Sequence, residues 1–343
     1  DAYLELRNST GGFVTADDDS GGNSNSAITF TASTTGTYYL VAKAYDTETG
    51  TYDLSAFDST ASGPDIIFNN SDVDGGAFST SELSGAEILS SYVNVDANWD
   101  ADPISINSYW FQTYIHEIGH ALGLGHAGNY NGGATWGTSN IFDNDSWQAT
   151  VMSYFSQTDN PNIDADFAYL ATVMPADIIA IQNLYGTNVS TRSGNTTYGA
   201  NGNVTGYLGD LMKMFFNEIP DQQKVYIDNP IAFTIYDTGG VDTINLSPVN
   251  AVQTINLNGG GISNVGGLKG NMQIARGTVI EKAIGGNNVD TIYGNSAANS
   301  LAGRGGSDRL LGAAGNDLLN GGVGNDTMDG GIGADTAVFV GAE

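Results

Sequence analysis

Residues 116–126 read HEIGHALGLGH and hold all three histidines of a 343-residue chain. On a helix, His116 and His120 stand four residues apart, so both imidazoles lie on one face, one turn apart. Two neutral imidazoles placed that way can share a zinc ion at roughly 2.0–2.1 Å. Glu117 is adjacent and can flank such an ion without binding it. Gly123 supplies the positive φ needed to end the helix and turn the chain sharply, which lets His126 return as a third ligand. Three protein ligands leave one coordination position open, the arrangement of a catalytic rather than a structural zinc. A bare HExxH occurs by chance, but the longer HExxHxxGxxH string fixes two further positions, each with its own geometric reason.

The surrounding sequence supports the helix. In SYWFQTYIHEIGHALGLG, Ile115, Ile118 and Leu122 form one apolar stripe, with Asn107 or Ser108 as N-cap. PADIIAIQNLYG (175–186) predicts a second helix, with Pro175 in its first turn and Gly186 just past its end. PDIIFNN and ILSSYVNVDANW read as strands, and no long helix is expected between Asp65 and Asn107.

Composition narrows the partners. Lys and Arg number 10 against 38 Asp and Glu, a formal net charge of −28. Nucleic acid and anionic membrane surfaces would be repelled. With 47 glycines beside many Asp and Asn, cation-binding turns become the natural use for the carboxylates. Cysteine is absent, and no apolar run reaches the length of a membrane span. Both features suit a protein exported from a bacterium and stabilised without disulfides, although no signal peptide opens the sequence.

Three regions follow: a β segment over residues 1–63, a mixed α/β region over 64–190, and a glycine-dominated region over 191–343 where the helical signal fades. In the last, Asp290, Asn299, Asp308, Asp317, Asp326 and Asp335 recur every nine residues, in units such as GRGGSDRLL and GGVGNDTMD. Each unit pairs a tight turn with a short strand. Turn carbonyls and the sixth-position Asp offer the oxygens calcium requires, so turns of adjacent coils can sandwich an ion. Ile292, Leu301, Leu310, Leu319 and Met328 are placed to fill the interior. A flexible Gly/Asp linker would show no such period.

The zinc string is the metzincin signature, and Met152 in VMSYF stands where metzincins have their methionine turn. HEIGHALGLGHAGNYNGG, VMSY, DIIAIQNLYGTN, TRSGNTTYG and the nonapeptides appear in the order of the serralysin family, which the chain resembles from about Pro64 to near Ala337. The resemblance implies a metzincin α/β zinc-protease domain followed by a calcium-binding parallel β-roll of the RTX type. It assigns His116, His120 and His126 as ligands of one zinc and Glu117 as general base. Tyr154 becomes a ligand in the resting enzyme that swings away to stabilise the transition state. It also implies structural calcium at the roll aspartates Asp290, Asp308, Asp317, Asp326 and Asp335. An upstream calcium site would use carbonyls near Arg192, Gly194 and Thr196 with Asp237, Gly239 and Asp242, and Asp242 would meet Glu281 in a neighbouring one. Asn195 stands where the family often has Asp, and the unit of Asn299 departs from the consensus and is expected to bind weakly.

DAYLELRNSTGG, DDDSGG, ITFT, GTYYLVAKAY and GTYDLSAF resemble the bacterial pre-peptidase C-terminal domain, a small β-sandwich carried by secreted proteases. That match begins mid-domain. Residues 1–63 are therefore expected to be the remnant of a larger region, or to pack against the catalytic module. The expected whole is a multidomain α+β and all-β protein: a monomeric, secreted, zinc-dependent endopeptidase acting on protein or peptide substrates. The alternative is a calcium-dependent RTX adhesive or structural protein with a vestigial protease module, against which the retained Glu117 argues.

Overall fold

A computed structural model describes residues 2–17, 26, 28, 30, 38–44, 65–70, 76–96, 98–99, 105–215 and 229–340. The chain divides into two units, Asp1–Ser62 and Gly63–Glu343. In the first, strands Ala2–Arg7, Phe13–Asp17 and Tyr39–Ala44 form an antiparallel sheet with Ala2–Arg7 at its centre. Leu4 and Leu6, two apart and therefore on one face, are its buried residues together with Glu5. GTYDLSAF and most of AITFTA lie outside the described residues, as does most of the loop at 16–26.

The second unit opens with a three-stranded sheet. Strand Glu87–Val95 runs parallel to Asp65–Asn69 and antiparallel to Ala77–Ser84, which forms the sheet edge. AFSTSELS was not among the expected strands. It lacks a run of large apolar residues and is held by its turn-linked partner rather than by its own pattern. Val93 and Val95 are fully buried on the face that also carries Ser91, whose hydroxyl donates to the Ala121 carbonyl at 2.9 Å. Among the described residues between Asp65 and Asn107 there is strand and turn but no helix.

Helix α1 (Tyr109–Ala121) lies against this sheet. Ser108 is its N-cap, its Oγ accepting from the Phe111 amide at 3.3 Å. The helix buries more than its apolar stripe: Gln112, Thr113, Ile115, Glu117, Gly119 and Ala121 are all buried. It is packed on two sides, by the sheet and by the segment around Met152. Ile115, Trp147, Val151, Met152, Leu170 and Met174 form that second core. Helix α2 (Pro175–Tyr185) ends at Gly186, whose φ is +87°, as its sequence predicts.

Beyond residue 191 the chain winds into a parallel roll. One sheet stacks strands Thr197–Gly199, Thr243–Asn245, Lys282–Ile284, Ser300–Gly305, Leu318–Val323 and Thr336–Phe339, all parallel. The facing one stacks Gln253–Asn256, Asp290–Tyr293, Arg309–Leu311 and Thr327–Asp329 in parallel. Ile292 registers with Leu310, and Leu301 with Leu319, so residues eighteen apart stack along the interior. All four are essentially inaccessible, and each contributes about 1.5–3 kcal/mol by burial. Met328 is only partly buried.

The fading of helical signal after 191 needs one correction. Helix α3 (Gly206–Phe215) buries Leu208, Leu211 and Met212 in the same core as the roll. Its apolar residues follow helical spacing, but Gly206 and Gly209 sit among them and mask the pattern. Gly209 is required: a Cβ there would overlap the Val204 carbonyl.

Candidate metal centre

The turn at Gly123 (φ +89°) brings His126 back beside α1. His126 Nε2 lies 3.0 Å from His120 Nε2 and 3.2 Å from His116 Nε2. The three form the one cluster of three or more His, Asp or Glu able to share an ion among the described residues. Each Nδ1 faces a backbone carbonyl: His116 that of Val151 at 2.7 Å, His120 that of Leu124 at 2.8 Å, His126 that of Tyr130 at 2.8 Å. A carbonyl only accepts, so every Nδ1 carries the proton and every Nε2 presents a lone pair. Three lone pairs converge on one point with no proton between them. Nitrogens about 2.05 Å from a tetrahedral zinc stand roughly 3.3 Å apart, so the donor set fits that ion.

Electrostatics agree. Burial, helped by its neighbours His120 and His126, lowers the pKa of His116 to about 4. Burial likewise lowers those of His120 and His126. All three are neutral near pH 7, as metal binding requires. Glu117 moves the other way, its pKa pushed up to about 7 by burial, and its Oε2 is buried with no hydrogen-bond partner.

His116 and Glu117 open on a cleft of about 440 Å³. Trp99, Gln112, Thr113, Gly132, Gly133 and Ala134 line it, with Tyr109 and Trp147 stacked 6.0 Å apart in the same lining. Tyr154 lines it too. Its ring centroid is 4.5 Å from that of His126, and Gly132 N–H approaches its hydroxyl at 3.5 Å.

Gly119 and Asp177, which sequence reasoning passed over, help Met152 hold this arrangement. Met152 is fully buried beneath α1, and a Cβ at Gly119 would overlap its sulfur. A glycine inside a helix costs about 1 kcal/mol relative to alanine, which was the available signal. Asp177, in the first turn of α2, accepts from Thr150 Oγ1 at 2.5 Å and from the amides of Val151 and Met174, each at 2.8 Å. It pins the segment before Met152 to α2.

The expected calcium residues fall into two groups. In the roll, four aspartates accept from the backbone N–H of the residue eighteen positions earlier: Asp308 from Asp290 at 2.8 Å, Asp326 from Asp308 at 2.9 Å, Asp317 from Asn299 at 2.7 Å, Asp335 from Asp317 at 3.0 Å; Asp290 accepts from Gln253 N–H at 3.0 Å. The second oxygens of Asp308 and Asp317 are buried and unpartnered. Upstream, Asp242 accepts from Thr196 N–H at 2.7 Å, and Glu281 accepts from Asp242 N–H at 2.7 Å. Asp237 accepts from Gly239 N–H at 3.0 Å, while the Gly194 carbonyl accepts from Thr196 Oγ1 at 3.0 Å and Arg192 binds the Tyr236 carbonyl. Asp242 Oδ2 is a further orphan. Burial raises the pKa of Asp242 and of Asp308 to about 6. Buried carboxylate oxygens call for a partner, and calcium takes such oxygens, so Asp242, Asp308 and Asp317 fit that ion.

Residues 187–343 match the Peptidase M10 serralysin C terminal family. The chain is 43% identical over 205 residues to serralysin C of Dickeya chrysanthemi, covering 59% of this chain and 40% of that protein. Residues 187–343 are of the serralysin C-terminal type. The chain is also 41% identical over 195 residues to a Photorhabdus luminescens serralysin, and 41% over 194 residues to the metallopeptidase AprA of Pseudomonas marginalis. The chain spans about two fifths of the length of the curated relatives it matches.

Proposed function

We propose that this serralysin-type chain is a secreted, zinc-dependent endopeptidase stabilised by calcium. The observation that carries the reading is the convergence of three Nε2 lone pairs, each enforced by an Nδ1 bond to a carbonyl. His116, His120 and His126 hold the zinc, and Tyr154 stands beside His126 as the fourth group. Bound there, zinc would supply Lewis acidity to a water and to the carbonyl of a peptide bond. Glu117 is the general base. With a pKa of about 7 its unpartnered Oε2 can take a proton at neutral pH and return it to the departing amine. The Tyr154 hydroxyl, at the cleft wall, is placed to donate to the developing oxyanion. Extended protein or peptide segments are the substrates of a monomeric chain.

Calcium is assigned to the carboxylates Asp290, Asp308, Asp317, Asp326 and Asp335, with the upstream sites at Arg192, Gly194, Thr196, Asp237 and Gly239 and at Asp242 and Glu281. Without cations these stacked charges would repel. Residues 1–63, 64–190 and 191–343 are taken as the accessory β segment, catalytic domain and roll domain. Among the described residues no helix is long and apolar enough to cross a membrane. Casein hydrolysis by the purified chain, with and without a zinc chelator and beside Glu117→Ala, tests the reading. Activity insensitive to both the chelator and the substitution would overturn it.

A further inference from the structure

Asp145 does not line the cleft, yet its carboxylate joins the two segments that carry His126 and Tyr154. Tyr130 donates its hydroxyl to Asp145 Oδ1 at 3.0 Å, and Ser153 Oγ donates to the same oxygen at 2.6 Å. Asp145, Tyr130 and Ser153 are 2%, 6% and 2% exposed. The Tyr130 carbonyl is the one that holds His126 Nδ1. Ser153 immediately precedes Tyr154. The Tyr130 ring packs against the rings of both site residues, with centroids 5.4 Å from His126 and 4.8 Å from Tyr154.

A buried carboxylate is expensive unless strongly hydrogen-bonded, and hydroxyl-to-carboxylate bonds are among the stronger ones. For stability alone, apolar side chains of similar volume would serve as well or better. Here both donors come from segments bearing a group of the site. We infer that Asp145 is a positioning residue, fixing His126 and Tyr154 relative to each other through Tyr130 and Ser153. The inference rests on the reading of the histidine triad as a zinc centre. If the Tyr130 arm is cut, the carbonyl that orients His126 loses its anchor and the metal is held less tightly. If the Ser153 arm is cut, Tyr154 is freed while the triad stays in place.

The test uses the full chain and its Tyr130→Phe, Ser153→Ala and Asp145→Ala variants. Zinc affinity is read by chelator competition, and kcat and KM are read separately on a peptide substrate. Partners behind a metal ligand typically contribute about 10–100-fold to metal affinity. Tyr130→Phe should therefore raise the zinc Kd by about tenfold or more. Ser153→Ala should lower kcat while weakening zinc far less than Tyr130→Phe does, and Asp145→Ala should show both losses. Adding Tyr130→Phe to Asp145→Ala should weaken zinc no further, because one bond cannot be lost twice. Variants that melt earlier but bind zinc and turn over like the parent would reduce Asp145 to a structural residue and overturn the inference. If Asp145→Ala does not fold, the two single-arm variants still decide it. A parent chain that binds no zinc, or binds it without hydrolysing peptide, would instead remove the underlying reading, and that is measured before any variant.

Discussion

The sulfur of Met152 lies against Gly119, at the point where any other residue of α1 would place its Cβ. Gly119 directly precedes His120 on α1, so the methionine sets how closely the helix approaches the segment beneath it. Gly119→Ala must push one away from the other. Overpacking of this kind costs about 1–3 kcal/mol, and the displaced helix should also hold zinc less well. Urea denaturation with and without zinc measures both effects, and an unchanged midpoint would contradict so tight a contact.

Glu117→Gln removes the base while keeping its volume. Its Oε2 has no hydrogen-bond partner, so the substitution breaks no bond at that atom. Turnover should fall by about 10²–10⁴-fold, with zinc content by atomic absorption equal to that of the parent chain. Parallel loss of zinc would mean that Glu117 coordinates instead.

The carboxylates of the roll predict an unusual response to pH. Burial holds Asp242 and Asp308 at about 6 in the folded, cation-free chain, above the ordinary value of roughly 3.9. A raised carboxylate pKa means that the folded state keeps a proton the unfolded chain has released. The cation-free roll should be most stable below about pH 4 and lose that stability as pH rises through about 6. Calcium binds the ionised form, so its stabilisation should grow over the same interval. Melting midpoints in EGTA and in excess calcium should diverge with rising pH; parallel curves would count against calcium at these positions.

Asn299 interrupts one ladder of aspartates. Its Nδ2 points at the Glu281 carbonyl at 3.2 Å and at Asn295 Oδ1 at 3.2 Å, and its Oδ1 accepts from Asn295 N–H at 2.8 Å. The amide hydrogens sit where an ion would otherwise meet those oxygens. Asn299→Asp exchanges those donors for a carboxylate and should add about one calcium per chain, with the tighter oxygen shell such sites require. Equilibrium dialysis against calcium gives the stoichiometry, and an unchanged count would refute the substitution of amide for ion.

Much of this protein was legible in its residues alone, wherever a period or spacing is imposed by one local geometry. Histidines four apart must share a helix face. A glycine at position 123 must turn the chain. Aspartates nine apart must recur at each half-turn of a coil, and the apolar residues two beyond them must face inward. Tertiary structure decided what depends on partners far along the chain. The edge strand Ala77–Ser84 exists because Glu87–Val95 pairs with it, and α3 exists because the roll core receives Leu208, Leu211 and Met212. Packing on both sides of α1 buried Glu117 and moved its pKa toward neutrality, which no spacing could foretell. The placement of Asp145 between Tyr130 and Ser153 was equally out of reach. A single buried carboxylate leaves no periodic trace, and its meaning comes only from the two hydroxyls that the fold brings to it.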